Sequence, residues 1–113
     1  MLLYQNRVVE AYKVNVEVEV VNDWGYGFTG QIVISNLEDY PLENWILTFN
    51  ADFDITNLWP CDFIKNNDGS CSIRGIDNNI IIQSNSDIII GFNGLKSNES
   101  CTITDVKVEI NRY

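Results

Sequence analysis

At 113 residues, 45% hydrophobic and 20% charged, the chain has the size and composition of one globular domain with a single core, neither disordered nor membrane-spanning. Its net charge of −9 argues against nucleic acid or an anionic membrane surface as a partner. Histidine is absent, which removes the commonest general base, the commonest metal ligand and the usual partner of a nucleophilic Ser or Cys.

Residues 1–12 have no clear period and read either as a linker remnant or as an extra edge strand, leaving 13–113 as the folded module. Met1 to Arg7 is too short and polar for the apolar part of an export signal, so secretion would need a signal outside these residues. No apolar run approaches membrane length. The first clear strand has Val14, Val16, Val18 and Val20 alternating with Asn15, Glu17 and Glu19, the period of a half-buried strand. Phe28, Gly30, Ile32 and Ile34 alternate in the same way with Thr29, Gln31 and Val33, and Trp45, Leu47 and Phe49 with Ile46 and Thr48.

Further strands are predicted at Leu58 to Ile64, Cys71 to Ile76, Ile88 to Phe92 and Thr102 to Ile110, separated by turn residues such as Asn67-Asp68-Gly69 and Phe92-Asn93-Gly94. Ile80 to Ile82 and Ile88 to Ile90 read as core runs, with one Ile of each turned outward unless both faces are covered. Short strands at this spacing predict an all-β fold, a two-sheet antiparallel β-sandwich of jelly-roll or immunoglobulin-like type.

Cys61, Cys71 and Cys101 leave an odd thiol whichever pair bonds, and they lack metal-ligand spacing. The simpler reading makes them small buried side chains. The other is a Cys61–Cys71 bridge around the Asn66 to Gly69 turn, although ordinary hairpin pairing would set Cys61 opposite residues beyond Cys71. An enzyme would have to use carboxylates as its acid and base pair, for example Asp52 with Asp54 or Glu38 with Asp39, and nothing singles them out. Asn50 to Asp54 starts like a calcium loop but lacks the turn Gly and the distal Glu. The expectation is a protein that is not an enzyme and uses no cofactor or metal.

The order of signals from Asn22 onward resembles the family 2 carbohydrate-binding modules, cellulose- and xylan-binding β-sandwiches appended to bacterial polysaccharide-degrading enzymes. The resemblance rests on Asn22-Asp23-Trp24, Gly27-Phe28, Ile32 to Asn36, Asn44 to Phe49, Ile55 to Trp59, the Gly69 turn and Ile90-Gly91-Phe92-Asn93-Gly94. It implies that Trp24 and Trp59 are exposed platforms on which pyranose rings stack, aromatic faces being suited to such contact. Trp45 would be the family's buried core tryptophan. The third platform position falls at about Asn78, a departure from the family. Tyr26 either supplies a replacement ring or is a plain exposed loop residue.

Family xylan binders carry an Arg three residues after the first tryptophan, which props its indole upright. Here that residue is Gly27, so Trp24 is expected to lie down, as suits cellulose. The family pattern also points to Gln31, Asn57 and Asn93 as hydrogen-bonding neighbours of the rings, although Asn93 has a second reading as part of an Asn93-Gly94 turn. The family's bridge between chain ends is missing, since neither Asn15 nor Val108 to Tyr113 supplies a Cys. The resemblance thus implies a monomeric, secreted module of a larger enzyme or scaffold whose partner is an insoluble β-glucan, cellulose in the first place, with xylan or chitin also open. The competing reading is a protein-interaction or adhesin-type β-sandwich with no glycan ligand.

Overall fold

A computed structural model of the chain describes residues 4–9, 12–96 and 101–110. Its strands are β1 (Tyr4–Val9), β2 (Val14–Asp23), β3 (Gly27–Asn36), β4 (Leu42–Glu43), β5 (Trp45–Ala51), β6 (Phe53–Trp59), β7 (Asp62–Lys65), β8 (Cys71–Arg74), β9 (Ile81–Ile82), β10 (Asp87–Lys96) and β11 (Ile103–Ile110), with one 3-10 turn at Asp77–Ile80. One sheet has the order β1-β2-β3-β10-β6 and the other β11-β5-β8-β7, while β4 and β9 form a small ribbon. All pairings are antiparallel. The fold is a β-sandwich, as the strand spacing predicted. Of the leading segment, residues 1–3, 10 and 11 lie outside the described residues, and Tyr4–Val9 pairs with β2.

The alternation is realised face by face. Val14, Val16, Val18 and Val20 of β2, Phe28, Ile32 and Ile34 of β3 and Ile88, Ile90 and Phe92 of β10 are buried against Trp45, Leu47, Phe49 and Ile73 of the opposite sheet. Inside, Phe28 meets Phe53 and Phe92 edge to face at 5.3 and 5.5 Å, and Phe53 stacks on Phe92 at 5.5 Å. Asn36, the one buried polar residue among the described residues, ties three segments together. Its Nδ2 donates to the carbonyls of Tyr40, Ile82 and Gln83, and its Oδ1 accepts from the Glu38 N–H. Ile81 and Ile89 are the outward members of the two isoleucine runs.

Two expectations are corrected. Leu58 to Ile64 is not one strand, because the chain leaves the first sheet after Trp59, passes the cis Trp59–Pro60 bond and joins the second sheet as β7. Nor does Asn93-Gly94 make a turn: both residues lie within β10, where the pairing with β6 shifts register between them. Gly94 faces inward, and a Cβ there would come within 2.8 Å of the Phe28 ring, so this glycine serves close packing. The three cysteines are free and buried, and Cys71 stands opposite Lys65 rather than Cys61.

Candidate functional site

The outer face of the five-stranded sheet follows from register. Because Phe28, Gly30 and Ile32 point inward, Gly27, Thr29, Gln31 and Val33 of β3 point outward. Their cross-strand partners on β10 are Leu95, Asn93, Gly91 and Ile89, and Asn57 and Trp59 of β6 continue two of these rows opposite Asn93 and Gly91. On the other flank, Asn22 and Glu19 of β2 extend the rows of Thr29 and Gln31. Three rows therefore matter: Gly27 with Leu95, then Asn22, Thr29, Asn93 and Asn57, then Glu19, Gln31, Gly91 and Trp59.

Both tryptophans cover this face. Trp24 is 45% exposed and Trp59 44%, so each is half in solvent and half seated. A Cβ on Gly27 would meet the Trp24 indole at 2.7 Å from Nε1 and 3.0 Å from Cε2 and Cζ2, and a Cβ on Gly91 would meet Trp59 at 2.5 Å from Nε1 and Cε2. Any side chain at either glycine would displace the ring above it. The two seats are four strand positions and one strand apart, which is about 14 Å along the strands and about 5 Å across them.

The loop that carries Trp24 is held at both ends. Gly25 has φ +105°, a conformation few side chains tolerate. The Asp23 carboxylate accepts the Gly25 N–H at 2.9 Å and the Lys96 ammonium at 2.5 Å. The Trp24 N–H donates to the Gly27 carbonyl, and the Lys96 N–H to that of Tyr26. The Lys96 and Gly25 bonds hold the Asp23 carboxyl below its usual pKa.

Between the rings runs a chain of polar groups. Thr29 Oγ1 donates to Asn93 Oδ1, Asn93 Nδ2 donates to Asn57 Oδ1, both at 2.9 Å, and Thr56 Oγ1 donates to the Asn93 carbonyl at 3.2 Å. Each amide is oriented by its neighbours and leaves other lone pairs or hydrogens toward solvent. Gln31 borders the Gly91 seat.

The sequence-derived residues divide accordingly. Trp24, Gly27, Gln31, Asn57, Trp59 and Asn93 share this face. Tyr26 is 75% exposed in the loop beside Trp24. Asn78 is exposed on the 3-10 turn that follows β8 of the other sheet, where the buried Trp45 anchors the turn by donating from Nε1 to the Asn79 carbonyl at 2.7 Å. Sequence reasoning assigned no role on this face to Gly91, whose signal is an outward glycine in mid-strand, or to Ile89, the outward isoleucine of its run, which is 59% exposed two residues before Gly91 on β10. It also missed the staple between Asp23 and Lys96, two residues 73 apart in the chain.

A small antiparallel sandwich with one face of seated aromatic rings and amides has the architecture of a carbohydrate-binding module. Residues 14–111 match the profile described as "Cellulose binding domain", and the chain belongs to that family, the family 2 carbohydrate-binding modules. A lytic cellulose monooxygenase of Streptomyces ambofaciens is 25% identical over 75 residues, 65% of this chain and 21% of that protein. Among solved structures, the chitinase ChiA74 from Bacillus thuringiensis aligns with a TM-score of 0.72 and 25% identity over 83% of this chain and 15% of its own. The cellulose-binding family 2 domain of ScLPMO10C has the same fold, with a TM-score of 0.59 and 18% identity over 98% of this chain and 95% of that one. The chain thus spans about a fifth or less of the monooxygenase and the chitinase.

Proposed function

We propose that residues 13–113 are a non-catalytic module that adsorbs to an insoluble β-linked polysaccharide, cellulose in the first place, by stacking pyranose rings on Trp24 and Trp59. The observation that carries this is the pair of half-exposed indoles, each seated on an outward glycine of one sheet face with an oriented amide row between them. A sugar face presents C–H groups to the rings and hydroxyls to Gln31, Asn57 and Asn93, which can both donate and accept. A neutral polymer also meets no electrostatic penalty from a chain of net charge −9. The module works as a monomer within a larger secreted enzyme or scaffold and delivers it to the polymer.

Chitin is the second reading, because a module of this fold at 25% identity sits in a chitinase. Sedimentation with microcrystalline cellulose and, in parallel, with chitin tests both. The wild-type chain should leave the supernatant with one of them, and the Trp24→Ala, Trp59→Ala double variant, its fold verified by circular dichroism, should stay in solution. A double variant that still sediments with either polymer refutes the stacking mechanism.

A further inference from the structure

Trp59 and Gly91 are direct cross-strand partners on the outer face. A Cβ built on Gly91 would lie 2.5 Å from Nε1, 2.5 Å from Cε2 and 2.7 Å from Cζ2 of the indole. Cε2 is set back between the other two atoms, so an approach in the ring plane would leave it the farthest of the three. It is as close as the nearest, so the Cβ direction meets the ring from above its plane. Side chains stand roughly perpendicular to a sheet, so the far edge of the indole covers the space directly above the Gly91 backbone. At Gly27 the corresponding distances to Trp24 are 2.7 Å for Nε1 and 3.0 Å for Cε2 and Cζ2, a more oblique approach from the Nε1 side.

Nothing about the backbone calls for glycine at position 91. Positive φ among the described glycines occurs at Gly25 and Gly69, while Gly91 lies inside a regular ladder with partners on both sides. Glycine weakens a strand interior, and where it persists something usually approaches the backbone closely. Here the thing that approaches is a ring facing solvent. We infer that Gly91 is a positioning residue: by leaving its outward position empty it holds Trp59 flat, and this makes the module prefer the flat face of a packed polymer to a single free chain. The inference rests on the proposed stacking function.

The mechanism is steric. Ordinary contact begins near 3.4 Å, so a methyl at position 91 would push the indole outward by about 1 Å. The ring is half in solvent and can tilt, so strain is relieved at the surface rather than in the core. A tilted indole stands above the level of Trp24 and no longer rests on a plane that Trp24 also touches. A lone flexible chain can still follow it.

The test compares Gly91→Ala, Gly91→Ser, Trp59→Ala and the Gly91→Ala, Trp59→Ala double variant, using adsorption to crystalline cellulose or chitin and titration with soluble oligosaccharides of the same linkage. For Gly91→Ala and Gly91→Ser, adsorption to the crystalline polymer should weaken about tenfold, within the worth of one stacking platform, while affinity for the soluble ligand stays within about twofold. Adding Gly91→Ala to Trp59→Ala should weaken adsorption no further, because the glycine acts only through the ring. A simple structural role in backing the ring would lower both affinities together. That outcome, unchanged adsorption of both Gly91 variants, or additive effects in the double variant would overturn the inference. The proposed function fails separately, if Trp59→Ala itself adsorbs like the wild type.

Discussion

The distance between the two indole seats makes the additivity of the rings the most demanding prediction. Gly27 and Gly91 are separated by four strand positions and one strand, or about 14 Å by about 5 Å, which exceeds the range of about 7–10 Å within which substitutions usually couple. If each ring contributes about 1–3 kcal/mol, as stacked bases do on aromatic side chains, Trp24→Ala and Trp59→Ala should each weaken adsorption by about 5-fold to 150-fold. The double variant should lose the product of the two factors to within about 0.5 kcal/mol. Adsorption isotherms on one batch of polymer would supply the three constants, and thermal unfolding would show that each variant is native. A double variant no weaker than the worse single one would mean that the rings do not act as two platforms on one surface.

The staple on the Trp24 loop predicts a one-sided pH dependence. The Asp23 pKa is depressed in the folded state by Lys96 and Gly25, so its contribution is complete above the unfolded value of about 3.9 and disappears as pH falls through the folded value. Adsorption should be level from near neutrality down to about pH 5 and decline below about pH 4, whereas Asp23→Ala should bind more weakly throughout and lose that acid limb. Asn36→Leu, which leaves one buried and several part-buried backbone groups unpartnered, should cost about 2–4 kcal/mol and lower the melting midpoint by about 10–20 °C, measured by circular dichroism. Burial raises all three thiol pKa values, that of Cys61 to about 11, so a thiol reagent near pH 8 should label none in the native protein and all three after denaturation. The same shifts have the opposite sign to that of Asp23, so stability should fall as pH rises past about 8.5.

How much was legible depended on whether a strand kept its phase. Val14 to Val20 and Phe28 to Ile34 alternate without interruption, and their inner and outer faces could be assigned residue by residue. β6 could not be read, because Phe53 and Ile55 point inward while the register shift near Thr56 makes Leu58 the next inward residue. One extra residue erased the period of two, so the predicted strand starts only at Leu58, leaving Asn57 outside it and Trp59 on a strand with the wrong end. The end of β6 was hidden as well, since Leu58, Cys61 and Ile64 form an apolar series that spans a change of sheet. Trp24, Trp59 and the amides, which share one face, were singled out through the order of family motifs rather than by periodicity. Gly91 stood in a quoted motif, but its role escaped both routes, because that role depends on what stands across the strand, and a single sequence does not state its own register.

That dependence on register is general in this sheet. Phe92 is the cross-strand partner of Gly30, Phe28 of Gly94 and Trp59 of Gly91, and in all three pairs the missing Cβ would fall within 2.8 Å of the ring. Two phenyl rings are thus pressed on β3 and β10 from inside and an indole on β10 from outside, each where a glycine lets it reach the backbone. A large aromatic laid over an opposing glycine covers exposed backbone and fixes the ring in one attitude. The proposed binding face is therefore backed by a layer built on the same rule. Immobilising a free side chain on binding costs about 0.5–1.5 kcal/mol, a cost that is largely met during folding when the ring is already seated. On the proposed reading, the attitude of a platform ring depends on the glycine beneath it as much as on the tryptophan itself, and aromatics opposite outward glycines are the feature to look for in related sandwiches.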